Sequence, residues 1–339
     1  MPTFCRHNRF IERCPVCSKE LELASKPSPG RSSPRSTARR AGGSGARRAT
    51  PRSGPGMRVR HETRAQDDGY RCELVPGLRA SADADRLADE LAFAAGRLLA
   101  LAADPPGLYG EIRTRAPGDP EGAAWAAMLL VYLCPTEGED PFAAIRSAIA
   151  LGPERGLPDA ADQQALPDPD ELELGPRSAH EPGRGRATLL AYLDWADRSG
   201  GQAKAYGGDP GWTPERRFER AFERLALPGF GRGGRYDLLV TLGRLGLEPV
   251  EPDSLHLGGP RGVAAEDPAT AAAKRVFGIA DPLLLDRRAD ALAEAAGVPL
   301  EALDLALANW AALERATLGM PAGTTSQDAL EGARAALGL

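Results

Sequence analysis

Residues 225–247 read "LALPGFGRGGRYDLLVTLGRLGL". Gly229, Gly231, Gly233 and Gly234 fall within six positions, interleaved with Arg232 and Arg235, and apolar residues at helical spacing stand on both sides. A Pro-Gly pair turns the chain, and glycine permits positive φ or close backbone approach. The second helix must then open with unpaired N–H groups and the positive end of its dipole, a natural seat for an anion. Arg232 and Arg235 add point charge. No strand precedes the glycines and no Lys-Ser/Thr follows them, so a grip on a polymer's phosphate suits them better than a nucleotide cradle. The plainer reading is a glycine-rich turn between two helices.

Outward from this hairpin the pattern is helical. On the N-terminal side stand "RATLLAYLDWADRSG" (186–200) and "TPERRFERAFERLAL" (213–227), and on the C-terminal side "DPATAAAKRVFGI" (267–279), "DPLLLDRRADALAEAAG" (281–297) and "PLEALDLALANWAALERATLG" (299–319). Farther upstream "SADADRLADELAFAAGRLLALAAD" (81–104) begins at an N-cap candidate, Ser81, and "DPEGAAWAAMLLVYLC" (119–134) and "DPFAAIRSAIALG" (140–152) enter through Asp-Pro. Alternating strand patterns are nearly absent. The spacing predicts an all-α body of nine or ten helices, divided into an N-terminal helical region (61–118), a main domain (119–320) with an acidic loop at 153–183, and a C-terminal helix (321–339).

The chain has 339 residues, 42% of them hydrophobic, and carries 39 glycines and 30 prolines. Net charge is −5, unevenly placed: residues 1–60 hold 14 Lys/Arg against 3 Glu, a net of +11, and the rest hold 28 against 44, a net of −16. A basic arm of this kind meets a polyanion or serves as a solubilising linker. Residues 25–60 are rich in Pro, Gly, Ser and Arg, and such composition predicts disorder. No apolar run reaches the ~18–20 residues of a membrane helix, and "MPTFCRHNRF" lacks a signal peptide's apolar core. With five cysteines in so long a chain, a disulfide framework is not expected. These features predict a cytoplasmic protein without a membrane partner, its oligomeric state left open.

"LPGFGRGGRYDLL" resembles the helix-hairpin-helix motif of DNA glycosylases in the endonuclease-III-like superfamily, whose hairpin reads Leu-Pro-Gly-hydrophobic-Gly. The resemblance covers roughly 119–320. It implies a helix-hairpin-helix glycosylase-like domain, double-stranded DNA as partner, and a phosphate held by Gly229, Phe230, Gly231, Arg232, Gly233, Gly234 and Arg235. In that superfamily an Asp follows the hairpin at a helix start, commonly after an apolar residue. "GIADPLLLDRRADAL" offers Asp281, 50 residues after Gly231, with Asp286 in reserve, and the resemblance implies that Asp281 is the catalytic carboxylate. A carboxylate suits the chemistry, because breaking an N-glycosidic bond builds positive charge on the sugar. The bland reading of an Asp before Pro is an ordinary N-cap. Bifunctional members carry a lysine where this chain has Gly233, so no Schiff-base step is expected. Members with an iron–sulfur cluster carry four C-terminal cysteines, and none follows Cys134 here. A flipped base needs stacking surfaces; "YGGDPGWTPERRF" (206–218) supplies Tyr206, Trp212 and Arg216 as a pocket rim, unless Trp212 simply staples the helix start.

"CRHNRFIERCPVC" sets Cys5, His7, Cys14 and Cys17 within thirteen residues. Three sulfurs and an imidazole are the ligand type of a closed structural zinc site, a knuckle over residues 1–24 that metal would fold; the alternative is a redox dithiol at Cys14 and Cys17. Together with the arginine-rich hairpin, this unit resembles the α-glutamyl/putrescinyl-thymine pyrophosphorylase group, associated with hypermodified thymines in DNA. The expected function is hydrolysis of the N-glycosidic bond of a flipped, modified base, in repair or in defence against phage. The alternatives are pyrophosphorylase or transferase chemistry on a modified thymine in DNA, and a non-catalytic DNA-binding adaptor.

Overall fold

A computed structural model of the chain describes residues 65–150, 166–258, 267–312 and 314–339. They fold as helices, with no strand among the described residues: α1 (Ser81–Ala103), α2 (Leu108–Arg115), α3 (Pro120–Leu133), α4 (Ala143–Ala150), α5 (Ala187–Arg198), α6 (Gln202–Gly207), α7 (Pro214–Arg224), α8 (Arg232–Arg244), α9 (Pro268–Phe277), α10 (Pro282–Ala296), α11 (Ala302–Ala311) and α12 (Gln327–Leu337). The all-α reading holds. The Cys/His unit and basic tether expected at 1–60, and part of the acidic loop expected at 153–183, lie outside the described residues.

Helix entry follows the Asp-Pro and Ser/Thr signals at most starts. Asp119 caps α3 by accepting from Gly122 N, Thr213 caps α7 through Arg216 N, Asp267 caps α9 through Thr270 N, and Ser326 caps α12 through Ala329 N. Each cap leaves Pro or a polar residue at the first helical position, where a missing N–H costs nothing. Two starts differ from expectation. Ser81 lies inside α1, not at its cap, and its N–H and hydroxyl both donate to the Asp68 carboxylate at 2.9 and 2.5 Å. A carboxylate from outside thus takes over the capping role. At Asp140-Pro141 the chain makes a turn, and α4 begins only at Ala143.

α3 is buried from Gly122 to Leu133, as its continuous apolar run requires. α1 packs against α11 and α12, α11 packs against α9, and α3 packs against α2 and α8. Residues from both ends of the described chain therefore build one core within a unit spanning Glu62–Leu339. No helix of the described residues is long and apolar enough to cross a membrane. α8, the second helix of the glycine hairpin, is buried from Arg235 to Leu242. That burial fixes the hairpin turn rigidly against the body.

Candidate functional site

The turn between α7 and α8 has the expected shape. Gly229 has φ of +78°, a conformation that favours glycine, and a Cβ there would meet Arg184 Nε at 2.1 Å and Thr188 Oγ1 at 2.4 Å. Phe230 turns inward, 3% exposed, with its ring 6.3 Å from that of Tyr132. Tyr132 hydroxyl pairs with His180 Nδ1 at 2.8 Å, and His180 Nε2 pairs with Asp170 at 2.8 Å. Gly231 is the N-cap residue of α8; it is exposed, and nothing lies within 4 Å of where its Cβ would stand. The N–H groups of Gly231, Arg232, Gly233 and Gly234 find no acceptor within the protein. The bare, solvent-facing backbone read from the sequence is present.

The two arginines are not turned outward with it. Arg232 is 5% exposed; its Nε donates to Asp267 at 2.9 Å, its Nη1 to the Leu255 carbonyl at 2.7 Å and its Nη2 to Asp304. Arg235 is 8% exposed, lies 4.2 Å over the Phe222 ring and donates to the Phe222 carbonyl at 2.8 Å. Burial, with Arg232 beside it, lowers the Arg235 guanidinium to about 10. Its role in the folded chain is to tie α8 to the last turn of α7. The charge of the motif is used inside the protein, because a guanidinium one turn into a buried helix reaches the core more readily than the solvent.

Asp304 carries the network further. Arg177 donates to Asp304 and, at 2.6 Å, to Asp237 on α8. The result is an alternating chain, Asp267–Arg232–Asp304–Arg177–Asp237, drawn from α9, α8, α11 and the loop before α5. Three carboxylates against two guanidiniums leave it one negative charge in excess. Burial pushes the Asp304 carboxyl above its ordinary value, although Arg232 and Arg177 pull it down. For Asp267 burial pushes upward, but Arg232, the Thr270 N–H and Arg177 outweigh it, and its carboxyl is held below the ordinary range. Asp267 Oδ2 takes Arg232, Thr270 N and Thr270 Oγ1. Its Oδ1 is directed at the hairpin helix: a Cβ on Gly233 would stand 2.9 Å from it. The hairpin's missing side chain keeps that oxygen uncovered.

Asp267 therefore occupies the place beside the hairpin that the sequence reading gave to Asp281. Asp281 is exposed and spends its Oδ1 on Leu283 N and Leu284 N at 3.0 and 3.2 Å, the N-cap of α10. Asp286, the reserve, is half-buried and accepts weakly from Leu257 N at 3.4 Å. The signal for Asp267 was present, since "DPATAAAKRVF" has the same Asp-Pro start as "DPLLLDRRADAL" and lies 36 residues after Gly231. Nothing in the sequence marked Arg177, Asp237 or Asp304. The pocket rim is not assembled: Tyr206 is 1% exposed and pairs with the Tyr192 hydroxyl at 2.8 Å, whereas Trp212 is half-buried under Arg216 at 5.2 Å. Cys5, His7, Cys14 and Cys17 lie outside the described residues. Among the described residues no group of three or more His, Cys, Asp or Glu side chains is placed to hold a metal.

One known family matches this region. The profile described as "Alpha-glutamyl/putrescinyl thymine pyrophosphorylase clade 3" matches residues 178–315, less than half of the chain. The matched span holds the whole hairpin, Asp267 and Asp304. No curated protein and no solved structure matches the chain.

Proposed function

We propose that the chain acts on modified thymine in DNA by pyrophosphorylase-type group transfer. The observation that supports this most is the family match over 178–315, coinciding with the hairpin and the carboxylate beside it. In the reaction we envisage, an amine attacks the exocyclic carbon of a thymine that carries a pyrophosphate ester. The C–O bond breaks, a C–N bond forms, pyrophosphate leaves with the bonding pair, and the new ammonium loses one proton to water. The open N–H groups of Gly231–Gly234 would hold a phosphate of the DNA strand, positioning the duplex without reading its sequence. Arg232 and Arg235 would support the hairpin from within.

Asp267 is the residue to which we give the electrostatic role. A carboxyl held below its ordinary range stays ionised and is a poor proton acceptor at neutral pH. Its use is to stabilise positive charge, such as an approaching ammonium, and the excess negative charge of the Asp267–Asp237 chain works in the same direction. A second reading shares this geometry: the same carboxylate would stabilise an oxocarbenium-like sugar if the N-glycosidic bond were cleaved. Cys5, His7, Cys14 and Cys17 have the donor chemistry of a structural zinc site, which metal analysis of the purified chain checks.

The test uses a duplex carrying 5-hydroxymethyluracil pyrophosphate, with putrescine or glutamate as amine. Pyrophosphate release together with a heavier, amine-bearing nucleoside on mass analysis is the expected result, lost in Asp267→Asn. Free base and abasic sites instead would establish the glycosylase reading. Salt-sensitive binding with neither product would leave a DNA-binding adaptor.

A further inference from the structure

At the other end of α9 from Asp267 lies a cleft of about 470 Å³, lined among others by Arg79, Asp83, Lys274, Arg275, Gly278 and Trp310. The distance along the helix, eight residues from Asp267 to Arg275, is about 12 Å. Three of the lining side chains are cationic and one is anionic. The chain from residue 61 on is strongly acidic, 28 basic residues against 44 acidic, so a concave patch of the opposite sign is a departure from the composition of its own domain. Trp310 forms part of the wall; its Nε1 donates to the Asp83 carbonyl at 2.9 Å, and Arg275 lies over its ring at 4.9 Å, which sets the direction of that guanidinium. Arg79 is exposed, and its guanidinium has no partner in the protein.

The backbone contributes as well. α9 ends on Gly278 in the left-handed region, φ 64° and ψ 21°, directly after a right-handed residue. Successive right- and left-handed residues turn their N–H groups toward one side and make an anion-binding concavity. The carbonyl of Val276, at the end of the helix, is taken by Gly77 N at 2.9 Å, and Gly278, Ile279 and Ala280 donate to no acceptor within the protein. All three line the cleft. Gly77 lets the two segments approach this closely: a Cβ there would stand 1.9 Å from the Arg275 carbonyl oxygen.

We propose that this cleft is a binding site for a phosphoryl-bearing anion, separate from the hairpin and not required by the reaction proposed above. Its volume is in the range of small-ligand sites, and cationic side chains beside unpaired N–H groups are the pairing that phosphoryl oxygens take. The ligand's source is either free pyrophosphate or a backbone phosphate of bound DNA.

Two probes separate these sources: inorganic pyrophosphate by calorimetry and a short DNA duplex by anisotropy, both at fixed ionic strength. Each is measured with the full chain, with Arg79→Glu, and with Arg220→Glu as a control on exposed α7. Arg79 has no protein partner, so its substitution should leave the thermal midpoint without ligand unchanged. Pyrophosphate binding weakened at least tenfold in Arg79→Glu, with the control within twofold and duplex binding intact, assigns a free ligand. A tenfold loss of duplex affinity in Arg79→Glu assigns DNA phosphate, whether or not pyrophosphate binds. The proposal is overturned if Arg79→Glu binds both probes like the unaltered chain, or if the unaltered chain binds neither. Base modification is not read in this experiment, so its failure is distinct from failure of the proposed reaction.

Discussion

The two ends of α9 meet cations in opposite ways. At the N-terminal end Asp267 holds Arg232 in a buried chain of five charges, each guanidinium set between carboxylates. At the C-terminal end Arg79, Lys274 and Arg275 line an open cleft with a single carboxylate. The first arrangement orders the frame, since buried charges are tolerated only when paired and hydrogen-bonded. The second leaves net positive potential available to a ligand. An arginine in a phosphate-binding motif is therefore not by itself a ligand contact, and the cations farther away, which no motif marks, are the better placed for one.

The sharpest way to break this contrast is to remove the shared carboxylate. Asp304→Ala strands two buried guanidiniums and should cost about 3–5 kcal/mol, read as a large fall in the denaturant midpoint; a surface-like loss below about 1 kcal/mol would mean that the chain is not a structural unit. Next is Asp267→Asn, which keeps an N-cap residue but removes the charge beside Gly233. Activity in the pyrophosphate-release assay should drop on the order of a hundredfold, while the helix stays capped. Asp281→Ala sharpens the same point from the other side: loss of an exposed cap costs about 1 kcal/mol, and turnover should be unaffected, whereas a collapse of turnover would restore Asp281 to the site.

The smallest effect concerns a carboxyl outside the network. Burial, with Glu121 nearby, raises Glu248 from 4.5 to about 7. A carboxyl whose folded value is raised binds its proton more tightly in the folded chain than in the unfolded one. Its contribution is complete below pH 4.5, declines as pH rises toward about 7, and is absent above that. Glu248→Gln should remove this part of the decline, so the variant gains thermal stability relative to the unaltered chain at pH 8 and not at pH 4. Equal pH profiles for the two proteins would refute it.

Much of the framework was legible along the chain. Pro228-Gly229 and the run of glycines announced the turn, Asp-Pro and Thr-Pro announced α3, α7, α9 and α10, and the apolar run of 123–134 announced a buried helix. These are local signals, resting on backbone conformation, caps and periodicity. Resemblance carried the reading as far as the family that matches 178–315. It stopped at the choice between Asp267 and Asp281, because both precede a proline at a helix start and their sequence context is the same.

What the sequence by itself determined is the all-α class, the position of the hairpin and the exposure of its backbone, because glycine and proline act on their own residues' dihedral angles. Which way Arg232 and Arg235 point, which aspartate faces Gly233, the pairing of Arg177 with Asp237 and Asp304, and the cleft at Gly278 were decided only by tertiary structure. Those depend on contacts between residues 60 and 127 positions apart in the Arg177 pairs alone. The energetics of a buried charge are set by the groups that surround it in space, and no local pattern encodes them.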